Sequence, residues 1–213
     1  MSTHAIEPSH AAEPMLIDRR LPHYDATTIQ HVVVEAPPER AYAAAVGTDL
    51  FALARQDPVF RALFTLRILP ERLMAMLRGE PFGEPAPTEG GRLRDLPTSG
   101  EWVRLGETPG EEFVFGAIGR FWGARITWET IDATEFEGFD RPGFGRIAAA
   151  ISARPYGEGR TLLSYEARTA VTDPESSTAF QRYWKALGPF IGVLLHRTLT
   201  AMAKEATSPR PAG

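Results

Sequence analysis

The chain has 213 residues, of which 43% are apolar, 23% charged and 10% aromatic, a composition typical of an ordinary globular protein. It contains no cysteine, which excludes disulfides, thiolate zinc sites, iron–sulfur clusters and cysteine nucleophiles. The formal net charge is −4 and Lys and Arg are not clustered, so we expect no nucleic-acid partner.

Both ends of the chain are polar, with Ala and Pro. We predict disordered tails at 1–14 and 207–213 and a single domain at 15–206. The N-terminal stretch lacks the basic start and apolar centre of a signal peptide. The longest apolar run near the C-terminus, Phe190 to Leu195, is far shorter than the roughly 20 residues of a membrane span. We therefore predict a cytoplasmic protein without stable membrane insertion.

The first half of the chain predicts one strand followed by short helices. Residues 27–35 are rich in β-branched side chains, which is typical of a strand. A Pro-Pro pair ends this strand, and residues 39–46 follow as a short helix. Three further short helices, each opened by an Asp or a Pro, are predicted at 50–55, 58–67 and 71–78. A loop rich in Pro, Gly and Glu covers 79–91.

From Trp102 onward the hydrophobic periodicity changes to two, which predicts strands joined by turns. The predicted strands are 102–107, 112–118, 124–129, 133–139, 146–154 and 161–171. Because no helix intervenes, we expect an antiparallel meander. A long helix then begins at Asp173, a good N-cap residue, and runs to about Glu205. Its apolar stripe consists of Phe180, Trp184, Leu187, Ile191, Leu194, Thr198 and Met202.

Helices in the first half and strands in the second predict an α+β fold. Three segments carry a resemblance to a known superfamily: the first strand running into residues 36–42 (APPERAY), residues 112–122 (EFVFGAIGRFW), and residues 163–169 followed by 180–184. Over about residues 27–205 the chain resembles the START-related and birch-pollen-allergen-like superfamily, which includes polyketide cyclases and bacterial members of unassigned function. The resemblance implies a helix-grip fold, with a curved antiparallel sheet around a long C-terminal helix and short helices after the first strand.

The resemblance also implies a cavity between the sheet and the C-terminal helix, and we expect a small apolar ligand to bind there. Small side chains on the predicted strands would leave space there; they are Gly116, Ala117, Ala148, Ala149, Ala150 and Ser152. We expect a lipid, aromatic or polyketide-like ligand. The residues expected to contact it are Tyr42, Trp102, Arg104, Phe113, Phe115, Trp128, Arg168, Trp184, Leu187 and Ile191.

Two alternatives to a binding or carrier protein stay open. A cofactor-independent enzyme of the cyclase or dehydratase kind needs titratable groups that face the cavity, and His31, Glu166 and Tyr42 are the candidates. An interaction module would instead have a filled core. The direction in which Arg104, Glu166 and Arg168 point decides between a charged cavity and a charged surface.

The sequence predicts no metal and no cofactor. Its five histidines show no spacing typical of metal ligands. Residues 143–148 (GFGRIA) have the form of a dinucleotide-binding loop, but no helix is predicted after them, and such a loop needs one. A turn between strands explains these glycines better. An exposed sheet edge also makes a weak homodimer possible.

Overall fold

The computed structural model describes residues 14–56, 58–59, 91–123 and 126–208. Its helices are α1 (Leu16–Arg20), α2 (Pro38–Gly47), α3 (Leu50–Gln56) and α4 (Pro174–Thr207), with a short 3-10 helix at Leu93–Asp95. Its strands are β1 (Ala26–Val34), β2 (Ser99–Gly100), β3 (Trp102–Thr108), β4 (Glu112–Arg120), β5 (Thr127–Trp128), β6 (Ile131–Asp132), β7 (Gly145–Pro155) and β8 (Thr161–Val171). The helices predicted at 58–67 and 71–78 and the loop at 79–91 lie almost entirely outside the described residues.

Six strands form one antiparallel sheet in the order β1-β8-β7-β4-β3, with β5 paired to the end of β4. The sheet is curved and α4 packs across it. The predicted α+β helix-grip fold is therefore confirmed. The strands β2 and β6 form a separate two-stranded sheet.

The long helix α4 begins where the sequence predicts. Asp173 caps it, because its carboxylate accepts a hydrogen bond of 2.8 Å from the Ser176 amide, and Pro174 occupies the first turn. The same carboxylate accepts a hydrogen bond of 2.6 Å from the Gly143 amide. These hydrogen bonds, led by that from Gly143, hold the pKa of Asp173 below its ordinary value. Asp173 thus joins the start of α4 to the turn that precedes β7.

Among the described residues, α4 is also the one helix long and apolar enough to cross a membrane, by length and composition alone. Core helices can meet the same criterion. In this fold α4 buries Phe180, Leu199 and Met202 completely, as a core helix does. The predicted cytoplasmic location stays a prediction.

Both faces of the sheet carry covering elements, but the convex side of β1 stays exposed. The concave face carries α4, whereas the convex face is covered by α1 and by residues 131–144, through buried side chains that include Ile17, Leu21 and Phe136. Most of the small residues expected to leave space on the inner face point to the convex face instead, namely Gly116, Ala148, Ala150 and Ser152. Their small size lets the covering segments approach closely: a Cβ atom at Gly116 would lie 3.1 Å from the Phe136 ring.

The prediction of a strand at 133–139 is wrong. Residues 133–138 form turns, and within them Phe136 is fully buried. Asp132 accepts hydrogen bonds from the Thr134 amide (2.9 Å) and hydroxyl (2.7 Å), which lower the pKa of its carboxyl group. This local turn competes successfully with the strand conformation that the alternating pattern favours. The strand predicted at 124–129 is reduced to β5 within the described residues.

The helix α1 is held against the convex face by buried charges. The carboxylate of Glu112, a residue only 2% exposed, accepts hydrogen bonds from the amides of Leu16 (2.8 Å) and Ile17 (3.1 Å). A negative charge at this position also suits the positive end of the helix. Further along, the Arg168 guanidinium contacts Asp18 at 2.7 Å and donates to the Leu21 carbonyl at 3.3 Å.

At one end of the sheet, β1 pairs with β8 alone among the described residues. This nine-residue strand contains no Asp, Glu, Lys or Arg, and its Ile29 and Val33 are exposed on the convex face. A homodimer through this sheet edge stays a prediction.

We expect Glu112→Ala to lower the free energy of unfolding by about 2–3 kcal/mol, because the part-buried amide of Leu16 and the buried amide of Ile17 lose a charged acceptor. Glu112→Gln keeps an acceptor oxygen and should have a smaller effect. Urea unfolding measures both. Glu111→Ala is the control, since Glu111 pairs with Arg154 at the surface and its loss should cost less than about 1 kcal/mol. Equal effects at the two positions would contradict this role of Glu112.

Candidate ligand-binding site

The concave face of the sheet is formed by alternate residues of its strands. Thr28 and Gln30 of β1 lie on it, since a Cβ atom at Gly192 of α4 would lie 3.7 and 3.6 Å from their side chains. The strand register places matching residues of the other strands on the same face. They are Tyr165 and Ala167 of β8, Ala149 and Ile151 of β7, Phe113, Phe115 and Ala117 of β4, and Trp102 and Arg104 of β3.

The helix α4 crosses this face between two packed clusters. Near its C-terminal end, Leu199 and Met202 are fully buried in the cluster that contains Tyr42 of α2. Near its N-terminal end, Phe180 is fully buried beside Phe121. Between them, in the fully described stretch 181–194, no residue is fully buried. The middle of α4 is therefore less buried than either of its ends.

A row of aromatic rings connects the two clusters, and we call it the aromatic wall. It consists of Tyr165, Phe115, Trp102, Trp128 and Phe121. Successive ring centroids along it lie 6.3, 6.0, 5.4 and 5.9 Å apart, within the range of favourable ring contacts. Trp102 and Trp128 are half-buried, so both rings present surface that a further apolar group can cover.

The other apolar residues predicted for the site lie around this wall. Phe113 is fully buried and packs on Phe115 with ring centroids 6.2 Å apart, so it belongs to the packed core. Trp184 contacts Phe180 at 6.0 Å near the N-terminal cluster. Leu187 and Ile191 are half-buried in the middle of α4.

A β-bulge determines which charged residues of β3 reach the concave face. Arg104 pairs with Phe115, but Gly106 then pairs with Val114, so the register shifts between them. Leu105 belongs to the convex-face cluster, and a Cβ atom at Gly106 would lie 3.7 Å from α1 side chains. Two consecutive residues thus face the convex side. Glu107 returns to the concave face three residues after Arg104, as β-bulges commonly allow.

Arg104, Glu107 and Tyr42 form a polar group at the edge of the concave face. The Tyr42 hydroxyl donates a 2.8 Å hydrogen bond to Glu107 Oε1. The Arg104 Nη1 atom lies 3.8 Å from Glu107 Oε2, too far for a hydrogen bond. Burial raises the pKa of Tyr42, and the Glu107 carboxylate raises it further. The phenol therefore stays protonated and serves as a donor.

Arg168 and Glu166 lie on the opposite face of the sheet. On β8, Arg168 lies opposite Thr27 of β1 and Glu166 lies opposite Ile29. Their side chains form a 2.6 Å ion pair beneath α1. Burial lowers the pKa of Arg168, but its hydrogen bonds to Glu166 and Asp18 reverse this effect and raise the pKa overall. The structure therefore separates Arg168 from the other predicted contacts, and its role is to hold α1.

His31 also faces the convex side. It shares that face with Ile29 and Val33, as the sequence indicates, and its Nδ1 atom lies 2.7 Å from the Ser164 hydroxyl. Of the three titratable candidates for an enzyme, His31 and Glu166 therefore point away from the concave face. Tyr42 remains beside it.

Two polar residues of the site, Glu107 and Gln30, are missing from the sequence prediction. Glu107 follows a glycine inside a strand, a pattern that can signal a bulge, but strict alternation places it on the face opposite Arg104. Gln30 interrupts an apolar strand, and nothing in the sequence indicates which face it occupies. The structure places its amide nitrogen under α4, near Gly192.

Among the described residues, no group of three His, Asp or Glu side chains is arranged to hold a metal ion. Pro142 and Gly143 form a turn that leads into β7, which begins at Gly145. The expected turn between strands is thus confirmed at this position.

No protein-family model matches the chain, and no curated protein matches it either. Solved structures with a similar course of the chain exist at low identity. TTHA0849 from Thermus thermophilus is 11% identical with a TM-score of 0.34, over 85% of this chain and 97% of that one. Mll3558 from Rhizobium loti is 15% identical with a TM-score of 0.37, over 84% and 96%.

The Zhui aromatase/cyclase from Streptomyces sp. R1128 is 11% identical with a TM-score of 0.34, over 86% of this chain and 96% of that one. At these identities and scores, the similarity gives no information about a ligand or a reaction of this chain.

We expect the free energy of unfolding to fall as the pH rises above about 10, the pKa of tyrosine in an unfolded chain. Burial raises the pKa of both Tyr42 and Tyr165, so the folded chain keeps protons that the unfolded chain releases. Their contribution to stability is complete below that pH and is lost progressively above it. Urea unfolding across this pH range measures the slope.

The double variant Tyr42→Phe, Tyr165→Phe should show a shallower slope than the wild type. Tyr156→Phe is the control, because Tyr156 is exposed and its removal should leave the slope unchanged. A double variant with the wild-type slope would contradict the claim that burial raises the pKa of the two phenols.

Proposed function

We propose that this protein binds or carries a small apolar or amphiphilic molecule between α4 and the concave face of the sheet. One observation carries the proposal: the middle of α4 has no fully buried residue from 181 to 194, whereas both ends of the helix are packed. A ligand placed there would cover the half-buried faces of Trp102 and Trp128. Each 100 Å² of apolar surface buried in this way contributes about 2.5 kcal/mol.

The charge distribution supports binding rather than acid–base catalysis. A cyclase or dehydratase needs titratable groups that reach the ligand with suitably adjusted pKa values. Here the Tyr42 hydroxyl is already engaged by Glu107 at 2.8 Å, and its pKa moves away from neutrality. A cofactor-independent enzyme is therefore the second candidate, and its acid–base pair would be Tyr42 with Glu107.

The first experiment is extraction of the purified protein with organic solvent after denaturation, followed by mass spectrometry against a mock purification. A stoichiometric lipid or aromatic compound would support the proposal and give the chemical class of the ligand. Titration with Nile red, a neutral apolar dye, tests the same site directly. Failure of the dye to bind, together with an empty extract, would count against a ligand site.

Substitutions that add a large side chain in the middle of α4 distinguish an open ligand site from a packed core. We expect Leu187→Trp and Ile191→Trp to weaken Nile red binding about tenfold. The new ring would occupy part of the site and remove roughly 60 Å² of apolar contact between the dye and the protein. We expect their stability to stay close to that of the wild type. Val193→Trp, on the exposed side of α4, is the control and should bind the dye normally.

In a packed core the same two variants would instead be destabilised by about 1–3 kcal/mol, because an added ring forces its neighbours apart. Urea unfolding measures this. Destabilised variants and absent dye binding would favour the interaction module with a filled core.

A further inference from the structure

We infer that the ligand carries a single carboxylate, which Arg104 binds, while its apolar body lies on the aromatic wall. This inference rests on the proposed function and adds the chemical class of the ligand. It follows from the placement, the free hydrogen-bonding capacity and the charge balance of the polar group formed by Arg104, Glu107 and Tyr42.

The placement puts a cation at the edge of the apolar surface. Arg104 pairs across the sheet with Phe115 and lies two residues from Trp102 on the same face, and both rings belong to the aromatic wall. A molecule that covers the wall can therefore bring one end to the guanidinium. The side chain of Arg104 is 41% exposed, so an acidic group can reach it.

The guanidinium has donors to offer. Within the described part of the chain no hydrogen bond satisfies it, since Glu107 at 3.8 Å is beyond hydrogen-bonding distance. Glu107 itself is held by the Tyr42 hydroxyl at 2.8 Å. A planar carboxylate matches the paired N–H groups of an arginine better than any neutral group does, because two parallel charge-assisted hydrogen bonds form.

The charge balance limits the charge of the ligand. The positive charge of Arg104 is already balanced by the negative charge of Glu107. A ligand with one negative charge therefore gives the group a net charge of about −1. A phosphate monoester with nearly two negative charges would meet stronger repulsion from Glu107. A single carboxylate is therefore favoured over a phosphate head group.

The test compares four probes of similar apolar size by displacement of Nile red at about pH 8, where a carboxylic acid is ionised. The probes are decanoic acid, decanol, methyl decanoate and decyl phosphate. We expect the wild type to bind decanoate about tenfold more tightly than decanol or the ester, as one charged, hydrogen-bonded contact allows. Decyl phosphate should bind more weakly than decanoate.

Two variants should change this preference in opposite directions. Arg104→Gln should bring the ratio of decanol to decanoate dissociation constants close to one, because decanoate loses its charged partner. Glu107→Gln should increase the ratio, because it removes the competing negative charge and keeps an acceptor for Tyr42. Arg154→Gln is the matched control: it removes a surface arginine paired with Glu111 and should leave the ratio unchanged.

The possible failures are distinguishable. Equal binding of acid and alcohol by the wild type, or an unchanged ratio in Arg104→Gln, would overturn the carboxylate inference and leave the apolar site intact. Tighter binding of decyl phosphate than of decanoate would also overturn it, in favour of a phosphate head group. If no probe displaces or replaces the dye, both the inference and the proposed function are wrong.

Discussion

The register of β4 determines what lies on each side of the sheet. This strand pairs with β3 and β7 along its length and is buried on both faces. Because successive side chains alternate, Phe113 and Phe115 face α4, whereas Glu112 and Gly116 face α1 and Phe136. A shift of one residue would place a carboxylate under α4 and phenyl rings against the start of α1. The candidate site and the attachment of α1 are therefore two consequences of one register.

Alternation is broken at the bulge in β3, and this break links the two faces. On the convex side, two consecutive residues, Leu105 and Gly106, face the region where α1 packs closely. On the concave side, the same shift brings Glu107 to within ion-pairing distance of Arg104 and next to Tyr42. Without the bulge, Gly106 would face α4 and Arg104 would have no carboxylate beside it. The bulge at Gly106 therefore has two effects: it lets α1 approach the convex face, and it places Glu107 beside Arg104 on the concave face.

The features that the sequence predicts correctly are local ones. The bounds of β8 coincide with the predicted 161–171, and α4 starts at the predicted cap because a single hydrogen bond from Ser176 to Asp173 defines it. The turn at 133–138 is missed because its alternating sequence resembles a strand, while the burial of Phe136 against Gly116 depends on a distant partner. The directions of Arg104, Glu107 and Arg168 depend on pairing between strands and on one bulge. No pattern within a single strand contains that information.

In the proposed site, the apolar and the polar parts have different effects on a ligand. Burial against the aromatic wall favours any apolar molecule of suitable size, so it provides affinity with little selectivity. Selectivity comes from the charge at the edge of the wall, where a wrong end group leaves the guanidinium donors without a good hydrogen-bond acceptor. In the empty protein, Glu107 lies 3.8 Å from Arg104 and partly balances its positive charge. The same carboxylate repels an acidic ligand, which limits how tightly it binds. A site balanced in this way suits a protein that releases its ligand better than one that retains it.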